Sequence, residues 1–133
     1  MTSGDNWDHA VDVLVVGSGN GGMTAALCAH EMGAGEVLLI EKHDKFGGTS
    51  AISGGGVWVP CNRYARAAGA EDSREDALRY LEATVPAASV PREMLETYVD
   101  NAPRMLDFLH ERTRVRYLTL PQYPDYYSML PGA

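Results

Sequence analysis

The run Val11-Asp12-Val13-Leu14-Val15-Val16, followed at once by Gly17-Ser18-Gly19-Asn20-Gly21-Gly22, constrains this chain more than any other feature. A short β-branched stretch of this kind suits a strand buried on both faces of a parallel sheet. In a chain with 14 glycines, G-x-G-x-x-G spacing alone says little. Between a strand and a helix it acquires a mechanical meaning. Gly17 permits the tight turn, Gly19 lets backbone approach a pyrophosphate, and Gly22 lets the helix pack closely on the strand. Met23–Met32 is rich in Ala and Leu and predicts a helix, entered at about Gly21, with small Ala26 keeping it near the sheet. Gly33 and Gly35 stop it. Val37–Ile40 predicts a second buried strand, and such a β-α-β unit is parallel with a right-handed crossover. The competing reading is a glycine-rich turn in an ordinary α/β protein, with Glu41 a surface carboxylate.

The helix start offers free N–H groups and a positive dipole end to phosphates. Glu41 ends the second strand, 19 residues after Gly22, where a carboxylate can accept hydrogen bonds from ribose hydroxyls. The same charge repels a 2′-phosphate and disfavours NADP. From Phe46 to Gly56 the composition turns to Gly, Thr and Ser, and no regular element is expected there. Its amides and the hydroxyls of Thr49, Ser50 and Ser53 form a second surface for pyrophosphate or flavin polar atoms. A plain NAD domain continues from its second strand into helix and strand without such a loop, so FAD is the expected cofactor. Phe46, Ile52, Val57 and Trp58 are too apolar for a flexible linker.

At 133 residues the chain is long enough for one domain with a core and too short for two. A net charge of −7 argues against a nucleic-acid surface, which needs clustered Lys and Arg. Cys28 reads as a small core residue, and with Cys61 it forms neither a disulfide framework nor a zinc site. Met1–Asp8 has no basic or apolar leader pattern, no apolar run is long enough to span a membrane, and the expected location is cytoplasmic. Ser73 predicts a capped helix to about Thr84, with Ala77, Leu78 and Leu81 on one face. A longer helix is expected from Pro91 towards His110, bent or divided at Pro103. Val115–Leu120 is a candidate strand, and Pro121–Tyr127 an irregular aromatic loop. His9, His30, His43 and His110 are scattered without partners, and Asp72, Glu75 and Asp76 suit a helix first turn.

The segments Val13–Gly19, Glu41-Lys42 and Phe46–Pro60 together resemble the FAD-dependent fumarate reductase/succinate dehydrogenase flavoprotein superfamily. Within it, Gly-Gly-Gly-Val-Trp58-Val-Pro60 and Pro124-Asp125-Tyr126-Tyr127 look like the 3-ketosteroid Δ1-dehydrogenase group. The resemblance runs from about Asp8 to Pro131. It implies a Rossmann-type α/β fold and a FAD site drawn from Gly17, Ser18, Gly19, Asn20, Gly21, Gly22, Glu41, Lys42, Gly47, Gly48, Thr49, Ser50, Ser53, Gly54 and Gly55. For chemistry it implies removal of two hydrogens beside a steroid 3-keto group. A tyrosinate-type base takes the C2 proton, and a hydride leaves C1 for flavin N5. Tyr126 matches a family active-site tyrosine; from the residues alone, a ring packing a Pro-rich loop is the stronger reading.

Two clear strands are fewer than a Rossmann-type sheet needs. The expectation is therefore an incomplete, amino-terminal part of a FAD-binding domain, inactive by itself. The remaining strands and the substrate cap would come from a missing C-terminal portion or a partner chain. Trp58 and the Tyr123–Tyr127 loop favour a flat apolar substrate, so the steroid that the resemblance implies leads; the tyrosines equally suit covering a core edge. A dicarboxylate enzyme of the fumarate reductase type, and a non-catalytic FAD-binding fragment, stand as alternatives.

Overall fold

The computed structural model describes residues 7–133. Most of the segment read for a leader, residues 1–6, lies outside them. Where one core is expected, the chain forms two compact units, dividing after Gly56. The break follows three consecutive glycines, whose conformational freedom makes a continuous element costly there.

The first unit is the predicted β-α-β motif. β1 (Val13–Val16) and β2 (Val37–Ile40) pair in parallel, Val13 opposite Val37 and Val16 opposite Ile40, joined by α1 (Asn20–Glu31). β1 starts two residues later than the β-branched run suggests, because Asp12 serves the register instead. Its carboxylate accepts the Glu36 N–H at 2.8 Å, and the amides of Asp12 and Val13 both donate to the Glu36 carbonyl. Gly35 is a glycine for this reason rather than as a helix stop: a Cβ there would lie 2.3 Å from the Asp12 carboxylate. Gly33 does terminate the helix, at φ +84° with its N–H on the His30 carbonyl.

The expectation of strands buried on both faces is not met. α1 covers the Val13 and Val15 side, while Leu14 is 53% and Val16 75% exposed on the other. The parallel register puts Leu38 and Ile40 on that same side, so an apolar sheet face stands open among the described residues.

The second unit is helical. α2 (Arg63–Ala67) is missed by periodicity because it is little more than a single turn; Asn62 makes it, its side-chain oxygen accepting the Tyr64 and Ala65 amides at 2.9 and 3.0 Å. α3 (Arg74–Thr84) begins where expected, with the Ser73 hydroxyl accepting the Asp76 amide at 3.1 Å. α4 (Arg92–Arg112) is not divided at Pro103, one of the two outcomes expected there. A helix-interior proline costs ~3 kcal/mol. Here it sits between two apolar anchors: Val99 packs with Ala77 and Leu78 of α3, and Ala102 and Leu106 pack with Val59. Each large buried side chain contributes roughly 1.5–3 kcal/mol, so the flanking burial outweighs the defect. Arg74 also grips Asp100 through two hydrogen bonds of 2.6 and 2.9 Å, a half-exposed pair that aligns α3 with α4 more than it stabilises them.

Val115–Leu120 forms no strand: it pairs with neither strand of the described residues, and its Leu118 is almost wholly exposed. The following loop is irregular, as expected.

Cys61 is the one non-glycine residue with positive φ, at +54°, among the described residues. Left-handed backbone costs an L-residue roughly 1–2 kcal/mol, partly offset in glycine by its unfolded-state entropy. Cys61→Gly is expected to raise stability by a net ~0.5 kcal/mol, read as a higher urea midpoint at unchanged slope, and Cys61→Val to lower it. Equal midpoints for all three would show that the turn stores no strain.

Candidate cofactor site

The turn between β1 and α1 is shaped by its glycines. Gly17 adopts φ +98° and donates its N–H to the Ile40 carbonyl at 2.7 Å, joining the ends of both strands. A Cβ on Gly22 would lie 1.9 Å from the Gly17 carbonyl oxygen, so this position admits no side chain. Gly21 has open space around it. Gly19 is the N-cap of α1 without any side-chain cap, and the helix's first turn carries no acidic residue to compete for an anion.

Ser18 organises the site from within. Only 1% exposed, it donates its hydroxyl to Glu41 Oε2 at 2.6 Å and accepts the Gly47 amide at 2.8 Å. Its own amide also donates to Glu41 Oε2, at 2.9 Å, and the His43 amide donates to Oε1 at 3.1 Å. These bonds to the Ser18 hydroxyl, the Ser18 amide and the His43 amide hold the Glu41 carboxyl at about 2, down from 4.5. Glu41 is thus turned towards the glycine turn and kept anionic. The Ser18 side chain is enclosed, and its role is to hold the others in place.

The loop expected to lack regular structure contains a 3-10 turn, Gly48–Ile52. The reason is its fastening at two points: Gly47, at φ +108°, is tied to Ser18, and in the middle of the turn the Ser50 hydroxyl accepts the Asn20 amide at 3.1 Å. A Cβ on Gly48 would sit 3.5 Å from the Gly19 Cα, so the two glycine loops lie against each other. The three hydroxyls are not equivalent. Ser53 gives its proton to the Ser50 carbonyl at 3.0 Å and accepts the Gly55 amide, which commits it to the loop. Ser50 has accepted a bond and retains its proton for an incoming acceptor. Thr49 is exposed, as are Lys42, Gly54 and Gly55, the last at φ +74°. Phe46 and Ile52 are largely exposed, so their apolar surface does not form a core here.

The residues fit a dinucleotide. An uncapped helix start, a glycine edge, a hydroxyl with a free proton and an oriented carboxylate together supply donors for pyrophosphate and an acceptor for ribose. Nothing in the sequence foretold that Ser18 would link Glu41 to Gly47, since a serine in the second motif position has no distinguishing pattern.

Tyr126 lies in the second unit, 92% exposed, so the ring packs on nothing among the described residues. Asp125 beside it is anchored: Oδ1 accepts the Tyr127 amide at 3.0 Å and the Tyr80 hydroxyl of α3. Trp58, expected to favour a flat ligand, stacks instead on Tyr98 at 6.1 Å and meets Tyr80 at 5.5 Å. No group of His, Cys, Asp and Glu among the described residues could hold a metal ion.

The close approach at Gly22 and the tethered acid can each be tested. Gly21→Ala is expected to fold and keep the α1 turn, whereas Gly22→Ala drives a methyl into the Gly17 carbonyl and loses flavin during purification. Equal flavin content in both variants would remove the close-packing argument. Because the folded Glu41 pKa is depressed, its contribution to stability is present above pH 4.5 and is lost as pH falls towards 2. In Ser18→Ala, carboxyl NMR titration should find the Glu41 midpoint moved up towards 4.5, with acid unfolding starting at higher pH. An unmoved midpoint would mean that Ser18 does not hold the carboxylate.

Residues 12–125 match the family model of the FAD binding domain. The 3-oxosteroid 1-dehydrogenase of Mycolicibacterium smegmatis is 42% identical over 91% of this chain and 21% of its own length. The 4-oxocyclohex-2-ene-1-carboxylate 5-dehydrogenase of Sinomonas cyclohexanicum is 44% identical over 93% of this chain and 20% of its own. The crystal structure of 3-ketosteroid-Δ4-(5α)-dehydrogenase from Rhodococcus jostii RHA1 with 4-androstene-3,17-dione superposes with a TM-score of 0.73 and 27% identity, over 83% of this chain and 23% of that one. The chain spans about a fifth of the length of the curated relatives it matches. The glycine turn, its oriented acid and the matched family agree: this chain belongs to the FAD binding domain family.

Proposed function

We propose that the complete protein is a FAD-dependent dehydrogenase that desaturates a carbon–carbon bond beside a ring ketone, with 3-ketosteroid 1,2-dehydrogenation as its reaction. The observation that carries this reading is similarity across nine tenths of the chain to enzymes named 3-oxosteroid 1-dehydrogenase. The Rhodococcus jostii structure, named for a different steroid bond, is less similar at 27% identity. On this reading the remaining strands and the substrate cap are supplied outside these residues, by the same protein or by a partner chain. The open sheet face supports that. Both cysteines are free, which suits a reducing compartment, and we place the protein in the cytoplasm. No helix of the described residues is long and apolar enough to cross a membrane.

Gly17–Gly22, with the amides at the start of α1, receive the pyrophosphate. Glu41 accepts from the adenosine ribose, and the Ser50 hydroxyl donates to a phosphate oxygen. Thr49, Lys42 and the exposed glycines Gly54 and Gly55 border the flavin side, and Ser53 keeps the loop in shape. Bound FAD supplies a hydride acceptor at flavin N5. A ketone acidifies the neighbouring C–H, and Tyr126 belongs to the set of hydroxyl groups that receive this proton. A free phenol titrates near 10, so Tyr126 needs neighbours that stabilise its anion and does not act alone. Its exposure leaves the hydroxyl available to substrate.

A second reading rests on the Sinomonas relative, named for a single-ring oxo acid and slightly more similar at 44%. It shares the ring ketone and changes only what surrounds it. Assay of the complete protein with an artificial electron acceptor, offering a 3-ketosteroid and 4-oxocyclohex-2-ene-1-carboxylate in turn, separates the two. Tyr126→Phe should retain fold and flavin while turnover falls by ~10²–10⁴-fold. Tyr127→Phe should cost much less. Undiminished turnover in Tyr126→Phe would remove that residue from the chemistry, and fumarate reduction without ketone oxidation would assign the protein to dicarboxylates.

A further inference from the structure

The second unit contains a buried phenol with no part in the flavin site. Tyr80, on α3, is only 6% exposed, its ring against Trp58. Its hydroxyl is not left to solvent; it donates to the Asp125 carboxylate. The same Asp125 oxygen accepts the Tyr127 amide at 3.0 Å, closing a turn around Tyr126. The chain then continues through a Tyr127 to Leu130 turn and comes back to α3. A Cβ on Gly132 would lie 2.2 Å from the Asp76 carbonyl and 2.9 Å from the Tyr80 amide nitrogen. The loop is therefore bonded to α3 through the Tyr80 side chain before Tyr126, and after it the chain at Gly132 passes close against the α3 backbone.

We propose that Tyr80 is a positioning residue for Tyr126: its buried hydroxyl holds Asp125, and Asp125 fixes the turn that presents the exposed ring. This rests on the reading of Tyr126 given above. The geometry separates two demands that one side chain could not meet. Tyr126 must stay open to substrate and so gains no order from packing. A loop of this kind otherwise samples many conformations, and a reactive group on it is rarely aligned. Tyr80 supplies the order from inside. Burial, then the bond and charge of Asp125, push the Tyr80 phenol up to about 12, so it stays a donor throughout the pH range in which the protein is folded. Both bonds meet on Asp125 Oδ1, so one oxygen ties the Tyr80 hydroxyl to the Tyr127 amide.

The test compares Tyr80→Phe, Asp125→Ala and Tyr126→Phe in the complete, flavin-loaded protein. Tyr80→Phe keeps the ring against Trp58; Asp125→Ala reaches the same bond from the loop and leaves α3 untouched should the first variant fold poorly. Both are expected to speed hydrogen exchange at the Tyr127 amide by about tenfold. Both should lower kcat by roughly 10–100-fold with KM for the ketone within about twofold. Their double variant should be no worse than either alone. In a Tyr126→Phe background, Tyr80→Phe should cost nothing further. Unchanged exchange in both variants overturns the proposal, as does a kcat loss that adds in full on top of Tyr126→Phe. If exchange rises but Tyr126→Phe turns over normally, the assignment of Tyr126 fails and the positioning role falls with it. If Tyr126→Phe is slow and exchange is unmoved, the positioning role alone fails.

Discussion

A single buried hydroxyl, that of Ser18, holds together everything that makes the first unit a binding site. Three stretches of chain meet at it: the turn after β1, the acid that ends β2, and the loop at Gly47. An orphaned buried polar group costs roughly 1–3 kcal/mol, and Ser18 prevents that at two places, its own oxygen and the Gly47 amide. The arrangement also decides what Glu41 has left to offer. A carboxylate has about four acceptor positions. Oε2 takes two bonds from Ser18 and Oε1 takes one from the His43 amide, so the remaining capacity lies on Oε1. In the proposed role, a ribose hydroxyl would meet an acceptor already oriented and already charged, without the entropy cost of freezing a free glutamate.

A comparable exchange occurs at the helix start. The Asn20 amide is one of the donors a phosphate would otherwise take, yet it is given to Ser50. The N–H lost there is replaced by the Ser50 O–H, carried on a loop that the bond itself fixes in place. Two glycine-rich segments, each too flexible to hold a shape, thereby order one another. Gly48 lies next to Gly19, which brings the loop alongside the strand turn.

Much of this fold was legible in the sequence because it depends on local chemistry. Strand β2, the Ser73 cap and the Gly22 requirement follow from propensity, capping and sterics at short range. Where the sequence misled, tertiary context decided. Pro103 should disrupt a helix in isolation, but Val99 and Leu106 pin both sides of it. Val115–Leu120 has strand composition and pairs with no strand of the described residues. The apolar run Leu14-Val15-Val16 announced burial on two faces, which is correct as a statement about residue type and unmet among the described residues. The site was legible in its residues and not in its wiring: Ser18 to Gly47 spans 29 positions and Tyr80 to Asp125 spans 45, distances at which no periodicity carries information.

That wiring bears on how substrate choice is distributed. Relatives named for a four-ring steroid ketone and for a one-ring oxo acid match this stretch at 42% and 44% identity, over nearly the same share of the chain. A region that discriminated between such different ring systems would diverge more strongly towards one of them. What the two names have in common is a ring ketone losing hydrogen to an acceptor, and what the stretch contains is the dinucleotide turn and an exposed, anchored tyrosine. Neither feature measures the size of a substrate. In the proposed function the glycine turn would hold a cofactor that does not change, and a phenol beside an acidified C–H would serve any cyclic ketone. Trp58 is no size gauge either, because its ring is taken up by Tyr80 and Tyr98 inside the second unit. On this reading, discrimination between ring systems is exercised by residues outside this stretch, while the common chemistry is fixed within it.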